Sequence, residues 1–166
     1  PAWIRDTVDA EPPGASIGSK EQLAAWLKDN PDALSEGATF VVDGTGVLRL
    51  APRRSEHVAC AGGGPVLAAG EIVFSRVRRD LSVAYVSNQS TGFCPEPASF
   101  AAVARALATL GIIPPESYTT SCIFRVCEAC CQINLVKDDC FECSCCGALL
   151  PAAWNFDPPA TAAGPH

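Results

Sequence analysis

Methionine is absent from this chain of 166 residues, and histidine occurs only twice. The missing Met, with Pro1-Ala2 at the start, reads as removal of an initiator Met ahead of small residues, so Pro1 is expected to be the natural start of a cytosolic protein. His166 closes the chain, so any neutral-pH imidazole chemistry rests on His57. Basic residues are also few: 12 Lys and Arg stand against 18 Asp and Glu, a formal charge of −6. That balance argues against the broad basic surface a nucleic-acid binder needs, and nucleic acid is not an expected partner. No stretch approaches the roughly 18 consecutive apolar residues of a membrane span, so no membrane partner is expected either. Nor does a charged stretch followed by an apolar one open the chain as a secretion signal. Aromatic residues are only 7%, yet 48% of the chain is hydrophobic and the mean hydropathy is +0.17, which excludes a largely disordered protein. The length fits one domain, or one domain with a small module.

Cysteine is abundant. Eight of the ten lie from Cys122 to Cys146. A disulfide scaffold spreads its cysteines along a small secreted chain, whereas crowding into one stretch points to metal. Charge is uneven as well. Between residues 44 and 80, six of the nine arginines face three acids, leaving that segment at +3 and the rest at −9. Arg53 and Arg54 are the candidate contacts for a small anionic ligand there.

Residues 1–18 read as a flexible tail, because Pro12-Pro13-Gly14 opposes regular structure. Ser19 with Gln22 forms a capping-box signature, and Leu23, Trp26 and Leu27 share one face of a helix over 20–29. Asn30-Pro31 ends it and starts a short turn that closes at Gly37. ATFVVD and GVLRLA flank Asp43-Gly44-Thr45-Gly46, a hairpin signal. VLAAGEIVFS and LSVAYVS follow as strands, with Gly70 marking a bulge or a close backbone approach. A second helix over 97–110 carries a stripe of Phe100, Val103, Leu107 and Leu110 and stops at Gly111. The expected fold is α+β: a small antiparallel β-meander with one or two packed helices over 19–113, then a metal-binding hairpin module over 114–150 and a C-terminal tail over 151–166.

Two Cys-x-x-Cys pairs, Cys127/Cys130 and Cys143/Cys146, are joined by a twelve-residue spacer. A two-residue gap lets a tight turn aim both sulfurs at one ion, and four thiolates make the closed tetrahedron of a structural Zn²⁺ site with no position left for water. Gly147 suits the positive-φ position after the second pair. Cys140-x-x-Cys143 is a competing pair, and Cys131, Cys140 and Cys145 are spare thiols; iron or redox chemistry are the alternatives. The stretch over about 121–150, with QINLVK and CFEC as strands, resembles a zinc ribbon with rubredoxin-type knuckles. It departs from that pattern at Cys131, a place often held by Gly. Glu128, Asp138, Asp139 and Glu142 make the ribbon acidic, so another protein is its expected partner rather than a polyanion.

In the middle of the chain, His57 with Glu71 could form an acid–base pair, with Cys94 as a nucleophile. His57-x-x-Cys60 could begin a second metal site. Gly62-Gly63-Gly64 is not a phosphate loop, since no Gly-Lys-Ser/Thr follows. The string His57, Pro65-Val66-x-Ala68-Ala69-Gly70-Glu71-Ile72, Asn88-x-Ser90-x-Gly92 and Pro95 resembles a motif of uncharacterised bacterial proteins, some of them C-terminal regions of large secreted toxins. It is also similar to a stretch of plant IQ-motif proteins. The resemblance covers about 55–97 and implies a shared β-rich domain without a defined reaction. The second histidine of that pattern is missing, for Gly92-Phe93-Cys94 stands in its place. Asn88 and Ser90 join Arg53 and Arg54 as candidate ligand-binding residues, and His57 and Glu71 as candidate catalytic ones. The leading expectation is a cytosolic adaptor or protein-interaction module with a structural zinc. The other is an enzyme acting on an anionic or nucleotide substrate.

Overall fold

The structure is a computed structural model and describes residues 12–156. Strands β1 (Ala15–Ile17), β2 (Ala38–Asp43), β3 (Leu48–Pro52), β4 (Val66–Val77) and β5 (Asp80–Ser87) form one antiparallel sheet in the order β1-β3-β2-β4-β5. Helices α1 (Lys20–Asp29) and α3 (Phe100–Thr109) lie on one face, and the one-turn helix α2 (His57–Cys60) lies on the other. A separate hairpin, β6 (Ile123–Val126) and β7 (Ile133–Val136), follows. No helix among the described residues is long and apolar enough to cross a membrane.

Alternation along the strands divides the core. Phe40 and Val42 of β2 and Ile72 and Phe74 of β4 pack with Leu23, Leu27, Val103 and Leu107 of the helices. The intervening Val41 and Ala69 meet Cys60 and Ala61 on the opposite face. Both faces are covered, so β2 is buried almost throughout and reads as a continuous apolar run. Helix α1 begins as its sequence dictates: Ser19 accepts from the Gln22 amide at 3.2 Å, while Gln22 Oε1 accepts from the Gly18 amide at 2.7 Å. Helix α3 stops at Gly111, whose φ is +69°.

The structure corrects four expectations. The sheet is not a meander, because β4 pairs with β2 rather than with β3. The connection over 53–65 is too long for a hairpin loop of about 2–5 residues; it carries α2 across the sheet and returns the chain on the far side of β2. The edge of β3 that a meander would have used is taken by β1, so residues 15–17 are not tail. Gly14 prepares that pairing by donating to Cys60 O at 3.0 Å, and a side chain there would strike the Cys60 sulfur. Residues 151–156 are not tail either. The buried Arg125 donates to Pro151 O and Ala152 O, and Trp154 Nε1 donates to Cys94 O at 2.8 Å. In the hairpin module QINLVK supplies β7, but its partner is IFRV, whereas CFEC contributes only isolated bridges at Cys140 and Glu142.

Candidate metal centre

The β6–β7 hairpin turns through Cys127–Cys130, and a second tight turn holds Cys143–Cys146. The two turns repeat the same bonds. Cys127 N donates to Gln132 O and Cys143 N to Ala148 O, at 2.9 and 2.8 Å. Cys131 N donates back to Cys127 O and Gly147 N to Cys143 O, at 2.8 and 2.9 Å. Cys131 and Gly147 both have positive φ, +61° and +74°. Cys131 therefore occupies the left-handed position that Gly fills in the second turn, which accounts for the departure from the pattern at that residue.

These turns point four sulfurs inward. The Sγ atoms of Cys127, Cys130, Cys143 and Cys146 all lie within 4.8 Å of one another. Across the turns, Cys127 meets Cys146 and Cys130 meets Cys143, each at 3.6 Å. A tetrahedral ion with M–S bonds of about 2.3 Å needs sulfurs about 3.8 Å apart, so the set fits one metal ion with little adjustment. The register expected from Gly147 is the one formed, and Cys131, Cys140 and Cys145 are exposed outside the cluster. Donors also converge. Cys143 is pulled down to about 6 foremost by the Cys146 amide; the Cys145 amide, the Cys130 thiol and the Asn134 side chain add to this against desolvation. Against the amide bonds of Gln132 and Ala148, the neighbouring thiols push Cys130 and Cys146 up, so Cys143 is the first of the set to lose its proton; a metal takes all four as thiolates.

Asn134 is a site residue that the cysteine spacing does not single out. It is buried in β7 and donates to Cys143 Sγ at 3.6 Å and to Gln132 O at 2.8 Å, while its carbonyl accepts from the amide and hydroxyl of Ser144. It thereby ties one cysteine turn to the other. The available signal was an amide at an alternating position between Ile133 and Leu135.

The central candidates are differently placed. His57 is half-buried, and its Nε2 donates to Gly70 O at 3.0 Å. Glu71 lies on β4 opposite Thr39 and Ser87, and no hydrogen bond or ion pair joins it to His57. Gly70 is required by sterics, since a Cβ there would overlap Ser87 O. Asn88 is fully buried. Its amide donates to Pro95 O and Cys122 O, at 2.9 and 2.8 Å, and its carbonyl accepts from Cys122 N at 2.6 Å. Ser90 is buried and holds a turn, its hydroxyl accepting from Phe93 N at 3.3 Å. The motif thus connects backbone segments in this chain: His57 to β4, Asn88 to Pro95 and Cys122, Ser90 to the turn at Phe93.

Arg53 and Arg54 are exposed. Arg53 donates to Glu36 O at 2.7 Å and lines a shallow pocket that includes Asp29, Asp32 and Glu36, an acidic setting for an anion. Burial pushes the Cys94 thiol up to about 11, and it donates to Thr91 O, so it is protonated rather than poised for attack. Burial likewise raises Cys60 to about 11, and among the described residues neither Cys60 nor His57 belongs to a cluster able to hold a metal. Cys122 is raised by burial first and by the charge of Glu71 second.

No protein-family model, curated protein or solved structure matches the chain.

Proposed function

We propose that Cys127, Cys130, Cys143 and Cys146 bind one Zn²⁺ in a structural role, that residues 121–150 are a zinc ribbon, and that the protein is a cytosolic adaptor whose ribbon docks another protein. The observation that carries the reading is the convergence of four sulfurs from two equivalent turns within 4.8 Å. Four thiolates close the coordination sphere, so the ion holds the fold together instead of activating water. It takes the place of a core that about 30 residues cannot build, and the apolar cluster beneath it is correspondingly small: Cys127, Val136, Cys143 and Leu150. A docking role is supported by apolar side chains left in solvent on this module, Leu149 foremost at 85% exposed. A catalytic role for His57 and Glu71 has no such support, since the imidazole already serves Gly70 and the carboxylate does not reach it.

Elemental analysis of protein purified without chelator tests the centre. One zinc per chain is expected, lost together with the fold of residues 121–150 in Cys127→Ser and retained in Cys140→Ser. Iron in place of zinc, or sulfurs paired as disulfides with no metal, would overturn the reading.

A further inference from the structure

We infer that the outer edge of β7 receives an extended, lysine- or arginine-rich strand of a partner protein, which extends the β6–β7 hairpin by one strand. The inference rests on the docking role proposed above and names the partner's chemistry.

The two edges of the hairpin are treated differently. Val126 N–H and C=O point away from β7 and are occupied by the Asn155 amide, at 2.9 and 2.8 Å, which closes the edge of β6 as a strand would. In the antiparallel register, Val126 faces Ile133 and Phe124 faces Leu135. Outward-pointing backbone groups alternate along each strand, so Ile133 and Leu135 point theirs away from β6. Gln132 covers Ile133 O with its own side chain at 3.1 Å. The amides of Ile133 and Leu135 and the carbonyl of Leu135 have no partner among the described residues. Their side chains are 46% and 40% exposed, although both are large and apolar. Natural edges are usually blunted by lysine, proline or a bulge, and none of these stands within Ile133–Val136. An open edge of this kind is the template for strand addition.

Charge selects the occupant. The edge is bracketed by Glu128 in the first cysteine turn and by Asp138 and Asp139 after β7, all exposed, with Lys137 alone opposing them there. A zinc centre with four thiolates adds a net −2. A second copy pairing antiparallel on β7 would set acids against acids. The chain's own end segments offer no complement: residues 1–11 hold Arg5 against Asp6, Asp9 and Glu11, and residues 157–166 hold Asp157 with no Lys or Arg. A cationic strand from another protein satisfies both the unpaired amides and the acidic flanks.

The test uses full-length, zinc-loaded, ¹⁵N-labelled protein with a blocked nonapeptide alternating Lys and Val as the probe, and its Glu–Val counterpart as the control. The Lys–Val peptide should bind about tenfold or more tightly than the control and slow solvent exchange of the Ile133 and Leu135 amides. Leu135→Lys should weaken it by about tenfold while keeping its zinc; Ile133→Lys is the second variant if the first loses metal. Equal binding of both peptides, or protection confined to the five-stranded sheet, overturns the inference. So does a Leu135 amide already protected in the free protein, which gives the edge to the chain's own ends, or protected more as protein concentration rises, which gives it to a second copy. Loss of zinc in both variants overturns it too, by assigning these side chains to the fold. Zinc content read on the same sample separates the two proposals: no zinc sinks the metal centre, whereas zinc without peptide binding sinks the edge alone.

Discussion

Asp43 sits at the bend from β2 into β3. One carboxylate oxygen accepts from the Thr45 amide, the Thr45 hydroxyl and the Val47 amide, and the other from Arg49 Nε. Desolvation pushes its pKa up, but the bonds from Thr45, Arg49 and Val47 outweigh it and hold the carboxyl at about 2. A depressed folded-state pKa stabilises fully above the ordinary value of 3.8, and the contribution fades as pH falls toward 2. Arg49 is partly exposed, which screens the ion pair, so a contribution of about 1 kcal/mol is expected. Asp43→Asn should lower stability by about that amount at neutral pH, and the gap to the parent protein should close between about pH 4 and pH 2 in urea titrations. A gap that does not change with pH would assign the effect to the lost turn geometry. The hairpin is legible in Asp43-Gly44-Thr45-Gly46, but the Arg49 bond is not, because it depends on β3 placing residue 49 beside the turn.

Among the elements, the two cysteine turns match bond for bond while differing at one residue. Cys131 adopts a left-handed backbone at φ +61°, which costs a non-glycine residue about 1–2 kcal/mol. Cys131→Gly should therefore raise the unfolding free energy of the zinc-loaded protein, by up to about 1 kcal/mol once the added freedom of the unfolded chain is deducted, with a higher urea midpoint and zinc content unchanged. Loss of zinc in this variant would make Cys131 a ligand. The turns were readable because their signal is local: two cysteines, a two-residue gap and a residue tolerant of positive φ. Helices α1 and α3 were readable for the same reason, through Ser19, Gln22 and Gly111. Strand β1 was not, since three residues carry no period and their pairing is decided by the vacant edge of β3. Strand β6 is not legible in IFRV, where the buried Arg125 breaks the apolar pattern and finds its acceptors 26 and 27 residues further on.

Across the whole molecule, strand order was the feature least available from sequence, because it depends on where the 53–65 connection travels. The attachment of the cysteine-rich hairpin to the sheet was equally hidden. It runs through Asn88, which binds Cys122 across 34 residues, through Trp154 on Cys94 O, and through Phe124 and Phe156 packed on Cys94 and Cys122. Asn88-x-Ser90 stands out in the sequence as a pair of polar residues, which suggests a ligand site. The structure instead gives the Asn88 amide three backbone partners.

That attachment determines how the protein can be divided. Pro114-Pro115 looks like a seam, and a shortened chain ending at Ile113 would keep every strand of the large sheet. It would also remove two of the three partners of the Asn88 amide and uncover Cys94. Each orphaned buried group costs about 1–3 kcal/mol, so such a piece should be less stable by at least that much than a chain ending at Phe156, as read by the urea midpoint of each. Equal midpoints would show the large sheet to be self-sufficient. On the expected outcome the proline pair marks a bend in a shared core, and the smallest piece worth expressing alone extends past the last cysteine to Phe156.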